Sequence, residues 1–343
     1  MKATILTSFV ALILAPVVHA QGCLGDVAAD GRIDGGDLGV MLANWGPVTS
    51  TALSHACDLD GNEIVNGADL GLLLSNWGTC PAPIWATVLE AQPDPAVVTD
   101  PSLRSAIRGT GLPWRVRDNG TGVEMLLVPG GTFLMGCIMG ADAWACEWPE
   151  FPVHQVNLTN AFYIGRYEVT QAQWTVKMGS NPSANQGAAN SGICPVEQVS
   201  WNDIQGYLNA TGLRLPTEAE WEYACRAGTP TPFYNGLTDQ NTVGALGWCY
   251  YNSPNRTQPG GGKAPNGFGL YDMLGNVWEW VNDRFDTYPS AEQTNPGGPV
   301  NGSYRIARGG CVTGASDLRA SHRTYVLPDH IWYGGGFRVA RNP

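Results

Sequence analysis

The chain has 343 residues, room for one large domain and a small one, and a chain of that length buries most of its surface on folding. Its net charge of -11 comes with no basic stripe to meet phosphates, which argues against nucleic acid as a partner. Charged residues make up only 14 %, while 44 glycines and 13 tryptophans describe a loop-rich fold held by aromatic packing rather than a helical bundle.

The N-terminus combines Lys2, an apolar run from Ile5 to Val18 and the small-residue site Val18-His19-Ala20 before Gln21. That is the layout of a secretory signal over residues 1–20, too short for a bilayer span, and it predicts a secreted or otherwise extracytoplasmic protein with no membrane span after cleavage. All nine cysteines follow it, so most are expected to pair in an oxidising compartment. Cys137 and Cys146 bracket a short Gly/Ala segment and are the expected disulfide. The connections of Cys23, Cys57 and Cys80 stay open, and Cys225 reads as a buried thiol.

A repeat follows directly. Asp34 to Gly46 reads Asp-Gly-Gly-Asp-Leu-Gly-Val-Met-Leu-Ala-Asn-Trp-Gly and recurs from Asn66 to Gly78 as Asn-Gly-Ala-Asp-Leu-Gly-Leu-Leu-Leu-Ser-Asn-Trp-Gly. As cation loops, the first offers Asp26, Asp30, Asp34 and Asp37 at positions 1, 5, 9 and 12. The second offers Asp58, Asp60, Asn62, Asn66 and Asp69 at positions 1, 3, 5, 9 and 12, hard oxygen donors that a curling loop brings onto one calcium. Two departures stand out: Ala28 at position 3 of the first loop, and Glu63 where position 6 ordinarily needs glycine to turn. The repeat resembles dockerin type I modules, over residues 21–80. That resemblance implies a small all-α, duplicated EF-hand-like module that uses calcium to fold and docks on a cohesin-like or other assembly protein.

Residues 81–117, rich in Pro, Ala, Asp and Ser without sustained periodicity, read as a linker. The second domain is expected over 118–343. Glu124 to Gly136 predicts two short strands around Pro-Gly-Gly. Three helices should follow: Thr170 with Gln173 opens one that ends at Gly179, Ser200 opens one with Trp201, Ile204 and Leu208 on a single face, and Thr217 with Glu220 opens one that stops before Gly228.

Seven motifs then occur in order: Val128-Pro-Gly-Gly-Thr-Phe, Tyr167-Glu-Val-Thr-Gln, Pro195-Val-Glu-Gln-Val-Ser-Trp, Leu213-Arg-Leu-Pro-Thr-Glu-Ala-Glu-Trp-Glu, Gly269-Leu-Tyr-Asp-Met-Leu-Gly-Asn-Val-Trp-Glu-Trp, Arg308-Gly-Gly and Gly336-Phe-Arg. From about Met125 to Arg341 they resemble the formylglycine-generating (sulfatase-modifying factor) family. The resemblance implies an α+β, C-type-lectin-like fold rich in irregular loops. Trp201, Trp221, Trp248, Trp278 and Trp280 are expected to build core, and Arg214 and Arg338 to clamp carbonyls or carboxylates. The resemblance also implies a calcium site from the side chains of Asp272 and Glu279 and the carbonyls of Gly275 and Val277, with a Glu279–arginine pair as the competing reading.

Family enzymes hold copper(I) on two cysteines, the first four residues after the second glycine of Arg-Gly-Gly and the second five further on, because soft thiolates select that ion. Those positions here are Gly314 and Arg319, so copper is not expected and no catalytic residue is assigned. A lone Cys311 follows the glycines, with Cys249 or His322 as conceivable partners. The segment between Cys311 and Tyr333 departs most from the enzymes yet has matched ends. Its Asp317, His322, Tyr325, His330, Trp332 and Tyr333 make it the expected surface for a peptide or glycan ligand, unless Trp332 and Tyr333 simply pack the loop. The reading is a ligand-binding or assembly protein, with a divergent formylglycine-generating oxidase as the alternative.

Overall fold

The structure is a computed structural model that describes residues 25, 27, 32–49, 54, 57–60, 62–79, 83, 85–138, 146–187 and 190–343. The signal segment, Cys23, Asp26, Ala28, Asp30 and Cys80 lie outside these residues. Among the described residues no helix is long and apolar enough to cross a membrane.

The small module is built from two like halves: β1 (Arg32–Ile33), α1 (Gly35–Ala43) and β2 (Gly46–Pro47), then β3 (Ile64–Val65), α2 (Gly67–Ser75) and β4 (Gly78–Thr79). β1 pairs with β4 and β2 with β3, both antiparallel, so each half lends its strands to the other. Equivalent residues of the two halves, Ile33 with Val65 and Met41 with Leu73, close one small core around Cys57. Asp34 and Asn66 are the helix N-caps, and Asp37 and Asp69 reach back to their backbone amides, so the loop residues expected at positions 9 and 12 form two capping boxes.

The larger unit holds three sheets. Among the described residues these are a five-stranded sheet in the order β16 (Ala340–Arg341), β10 (Phe162–Gly165), β7 (Glu124–Val128), β6 (Arg115–Asp118), β5 (Ala86–Glu90), and two smaller ones. A four-stranded sheet runs β14 (Arg323–Val326), β13 (Arg305–Arg308), β11 (Trp278–Arg284), β15 (Gly335–Gly336), and a three-stranded one β12 (Gln293–Thr294), β9 (His154–Leu158), β8 (Gly131–Met135). The two strands expected around Pro129-Gly130 are β7 and β8, and they feed different sheets. Gly130 permits that corner, since a Cβ there would lie 2.6 Å from the Leu158 carbonyl.

All three expected helices form, α4 (Gln171–Met178) on the predicted Thr170–Gln173 box and α6 (Glu218–Arg226) on the predicted Thr217–Glu220 box, while α5 (Trp201–Thr211) starts at Ser200 with a further box to Asp203. Gly179 and Gly212 end the first two in the left-handed conformation that glycine adopts without steric cost. Helix α6 is the central element, buried at every position except Glu220. The Cys137–Cys146 disulfide is present, with Cα atoms 5.8 Å apart.

The expected linker at 81–117 is corrected by the structure. Its residues supply β5, β6 and the helix α3 (Pro101–Arg108), which Asp100 caps with Pro101 at the first position. Ala86, Val98, Ile107, Leu112, Trp114 and Val116 belong to the large core. The segment shows no clear strand pattern in sequence because β5 is an edge strand whose burial does not alternate cleanly. If it is core, Ile107→Ala opens a void beneath α3 and costs roughly 2–4 kcal/mol. Denaturant unfolding of the full chain should show that loss in the large-domain transition; an unchanged midpoint would return the segment to a linker.

Candidate functional site

Strand β13 delivers Arg308, and the chain then turns on Gly309 and Gly310 at φ +92° and +73°. Both need glycine for space as well: a Cβ on Gly310 would lie 2.7 Å from Leu318, and one on Gly309 would crowd Trp221 and the Met273 carbonyl. A tight turn follows in which Gly314 N–H donates to the Cys311 carbonyl, while the Gly314 carbonyl accepts from Tyr250 N–H.

Cys311 is 3 % exposed, with Sγ 3.1 Å from Thr313 Oγ1 and packed at Gly334. Burial pushes its thiol up, and hydrogen bonds from Thr313 and Trp278 only partly oppose this. A thiol held protonated is a poor nucleophile and a poor metal ligand. Among the described residues, one set of three His, Cys, Asp or Glu side chains has ligating atoms within 4.8 Å of one another; it is Asp58, Asp60 and Asp69, without a cysteine. Cys249 is a separate buried free thiol.

Arg319, at the second cysteine position, is buried and bidentate on Glu150, with Nη1–Oε2 and Nη2–Oε1 both 2.8 Å. His322 Nδ1 lies 3.1 Å from Arg319 Nη2 and 3.6 Å from Glu150 Oε1. Burial raises the Glu150 carboxyl, but hydrogen bonds from His322 and Arg319 and the guanidinium charge outweigh it and pull the group down to about 2. Sequence reasoning missed Glu150: it sits in a single 3₁₀ turn (Trp148–Glu150), 169 residues before its partner, with no local pattern to mark it.

The six residues expected to form one ligand surface separate. His322 is buried, with its ring 5.6 Å from that of Trp278, and is corrected from a surface residue to part of the Glu150–Arg319 cluster. Tyr333 is tied down by Asn185 Nδ2 at 2.9 Å and by the Asn255 carbonyl, and Trp332 meets Trp280 edge to face at 4.7 Å, so both pack the loop. His330 is exposed and stacks on Trp332. Tyr325, 44 % exposed, lies against Phe285 and Tyr304, and Asp317 is partly exposed beside Ser316.

The calcium candidates divide as well. In the second loop of the small module Asp58, Asp60 and Asp69 converge, and Asp69 also accepts from Leu59 and Asp60 N–H. Glu63 takes the left-handed φ of +65° that position 6 requires, with strain that glycine would avoid. In the first loop Asp34 and Asp37 serve as helix caps. In the large domain, Glu279 gives both oxygens to Arg338 at 2.6 Å and one also to Trp221 Nε1 at 2.7 Å. Its expected calcium role therefore yields to the competing arginine pair, because the guanidinium neutralises it already. Asp272, adjoining Gly275 and Val277, is different: Oδ2 accepts from Gly261 N–H, while Oδ1 is buried without a hydrogen-bond partner. Burial lifts its carboxyl to about 6, and the Glu279 charge adds to this against the pull of Arg338. Glu168, which sequence reasoning also missed although it stands in the second motif, bonds Val277 N–H and Asn276 Nδ2 from the other side.

Residues 114–343 match the family described as Sulfatase-modifying factor enzyme 1-like domain. The formylglycine-generating enzyme of Bos taurus is 38 % identical over 281 residues, spanning 63 % of this chain and 74 % of that protein. That of Thermomonospora curvata is 31 % identical over 287 residues, spanning 64 % of this chain and 93 % of that protein. Treponema denticola variable protein 1 superposes with a TM-score of 0.58 at 26 % identity, covering 64 % of this chain and 95 % of its own. With the fold, the ordered motifs and these relatives in agreement, the chain belongs to the sulfatase-modifying factor family.

Proposed function

We propose that this family member is an exported binding or assembly protein rather than a formylglycine-generating oxidase. The observation that carries the reading is Arg319 on Glu150: the place a soft ligand would occupy holds a buried guanidinium, and Gly314 has no side chain to offer. Copper(I) needs two preplaced thiolates, and Cys311 alone, protonated and enclosed, does not supply them. The large domain is then a scaffold whose exposed Tyr325 and His330 and partly exposed Asp317 face a peptide or glycan ligand. The Cys137–Cys146 disulfide suits the extracytoplasmic location that the signal segment implies.

The dockerin-like reading of the small module has its own support. Two halves exchange strands around one core, and one loop gathers three carboxylates as a cation would require. We assign calcium to Asp58, Asp60 and Asp69, with Asn62 and Asn66 on the same loop, and attachment to a cohesin-like or other assembly protein to this module. Of the residues expected at the large-domain site, Asp272 with the Gly275 and Val277 carbonyls fits an ion, and Glu279 does not.

Two experiments test these readings. Incubated with copper and a peptide containing Cys-x-Pro-x-Arg, the purified protein should give no aldehyde by mass spectrometry, and turnover above a catalyst-free control would restore the oxidase. Calcium at roughly 100 to 1,000 times its Kd should stabilise the small module by about 3–4 kcal/mol relative to chelator, since it binds the folded state alone. Asp69→Ala should abolish that difference without changing the large-domain transition. Equal melting with and without chelator would remove calcium from this module.

A further inference from the structure

Away from the Cys311 loop, a cavity of about 330 Å³ opens between the start of α6, the end of β11 and the loop around Gly298. That volume lies at the lower end for small-molecule sites. Two of its lining groups are nine-tenths or more buried and carry an unused hydrogen-bonding atom. Asp283, 4 % exposed, accepts from Glu218 N–H through Oδ2 at 2.9 Å, and no described residue donates to Oδ1. His154, 5 % exposed, lies with Nδ1 3.2 Å from the Pro152 carbonyl. A carbonyl only accepts, so Nδ1 carries a proton, and Nε2 is the ring atom left to accept.

The buried ion pair at the cavity wall is committed. Arg323 gives Nε and Nη2 to Glu218 at 2.8 Å each and Nη1 to the Pro149 and Asp286 carbonyls, so no fork is free for an anion. Glu218 also accepts from the Tyr288 hydroxyl. Around the cavity stand the carboxyl groups of Asp283, Glu218 and Asp286 against the guanidinium groups of Arg284 and Arg323. Gly298, at φ +74°, shapes the wall: a Cβ there would lie 2.8 Å from Asp283 Cβ. Once Asp283 is ionised, three carboxylates face two guanidinium groups, Oδ1 is an acceptor, and the Tyr288 ring borders the same space, which together describe a place for a donor-rich cation.

We propose that this cavity binds a primary alkylammonium group, held by Asp283 Oδ1 and His154 Nε2, from a free amine or from a lysine side chain. Burial, and then the neighbouring Glu218 charge, raise the Asp283 carboxyl to about 8, with Glu220 adding to the rise and Arg323 opposing it. The other titratable groups bordering the cavity are His154, Arg284, Asp286 and Tyr288. Ammonium binding to the ionised carboxylate therefore releases a proton below about pH 8, and affinity rises with pH by up to tenfold per unit before levelling.

The test uses the full chain and calorimetry with n-butylammonium and N-acetyl-lysine methylamide, with n-butanol and butyrate as controls. Expected are dissociation constants on the order of 1 mM for at least one amine and no binding of the controls. If only the free amine binds, the source is a small molecule; if the lysine derivative binds equally well, the cavity can take a side chain. Asp283→Asn keeps an oxygen for Glu218 N–H and should weaken the amine by at least about tenfold with an unchanged near-ultraviolet spectrum. Should that variant fail to fold, the wild-type pH series decides. Failure of both amines to bind, equal binding of butanol, amine affinity retained in a folded Asp283→Asn, or a pH-independent wild-type affinity each overturns the proposal. None of these outcomes bears on the oxidase question.

Discussion

The buried carboxylates of helix α6 and their arginines are the constraint on which the large domain depends. Glu218 and Glu222 stand one helical turn apart; the first holds Arg323 from β14, the second Arg308 from β13 and Arg226 on its own helix. Arg308 also donates to the Ser321 and Ala320 carbonyls, so the chain returning from the Cys311 turn is pinned to the strand that leads into it. Arg319 on Glu150 and Arg338 on Glu279 extend the same device to neighbouring loops. Desolvating such ions costs several kcal/mol each, and the attraction only about balances it, but removing one partner strands the other at roughly 3–5 kcal/mol. The pairs thus add little net stability while forbidding alternative paths for irregular backbone. In a chain with few charges and many glycines, that restriction is what keeps long loops in one conformation.

What was legible in the sequence was local. Capping boxes at Thr170 and Thr217 need partners three residues away, and both formed, as did the helix opened by Ser200. The repeat predicted two equivalent halves because equal sequences make equal elements, though not that the halves would exchange strands. Long-range partners were not legible: Glu150 and Arg319 are 169 residues apart, and although an arginine partner for Glu279 was among the readings, Arg338 lies 59 residues away and nothing in either neighbourhood names it. The same blindness misplaced His322, whose polar tip suggested a surface whereas its neighbours are a guanidinium and an indole. Residues 81–117 were misjudged for a related reason, since an edge strand and a short capped helix reveal their apolar faces only once Trp114 and Val116 join them.

On the proposed reading, the family's scaffold and the family's chemistry separate along this line. Motifs such as Leu213 to Glu222 and Gly336-Phe-Arg have structural work here, since Arg214 pairs with Glu220 and Arg338 with Glu279, requirements of folding that hold with or without catalysis. The copper pair has no such structural duty, and a different residue with a carboxylate partner fills its second position. Copper(I) binding itself tests this most directly. In competition with a chromophoric copper(I) chelator, the wild-type chain and Cys311→Ser should withdraw equally little copper. One equivalent bound tightly by the wild type and lost in Cys311→Ser would show a thiolate site in the Cys311 loop and contradict the account.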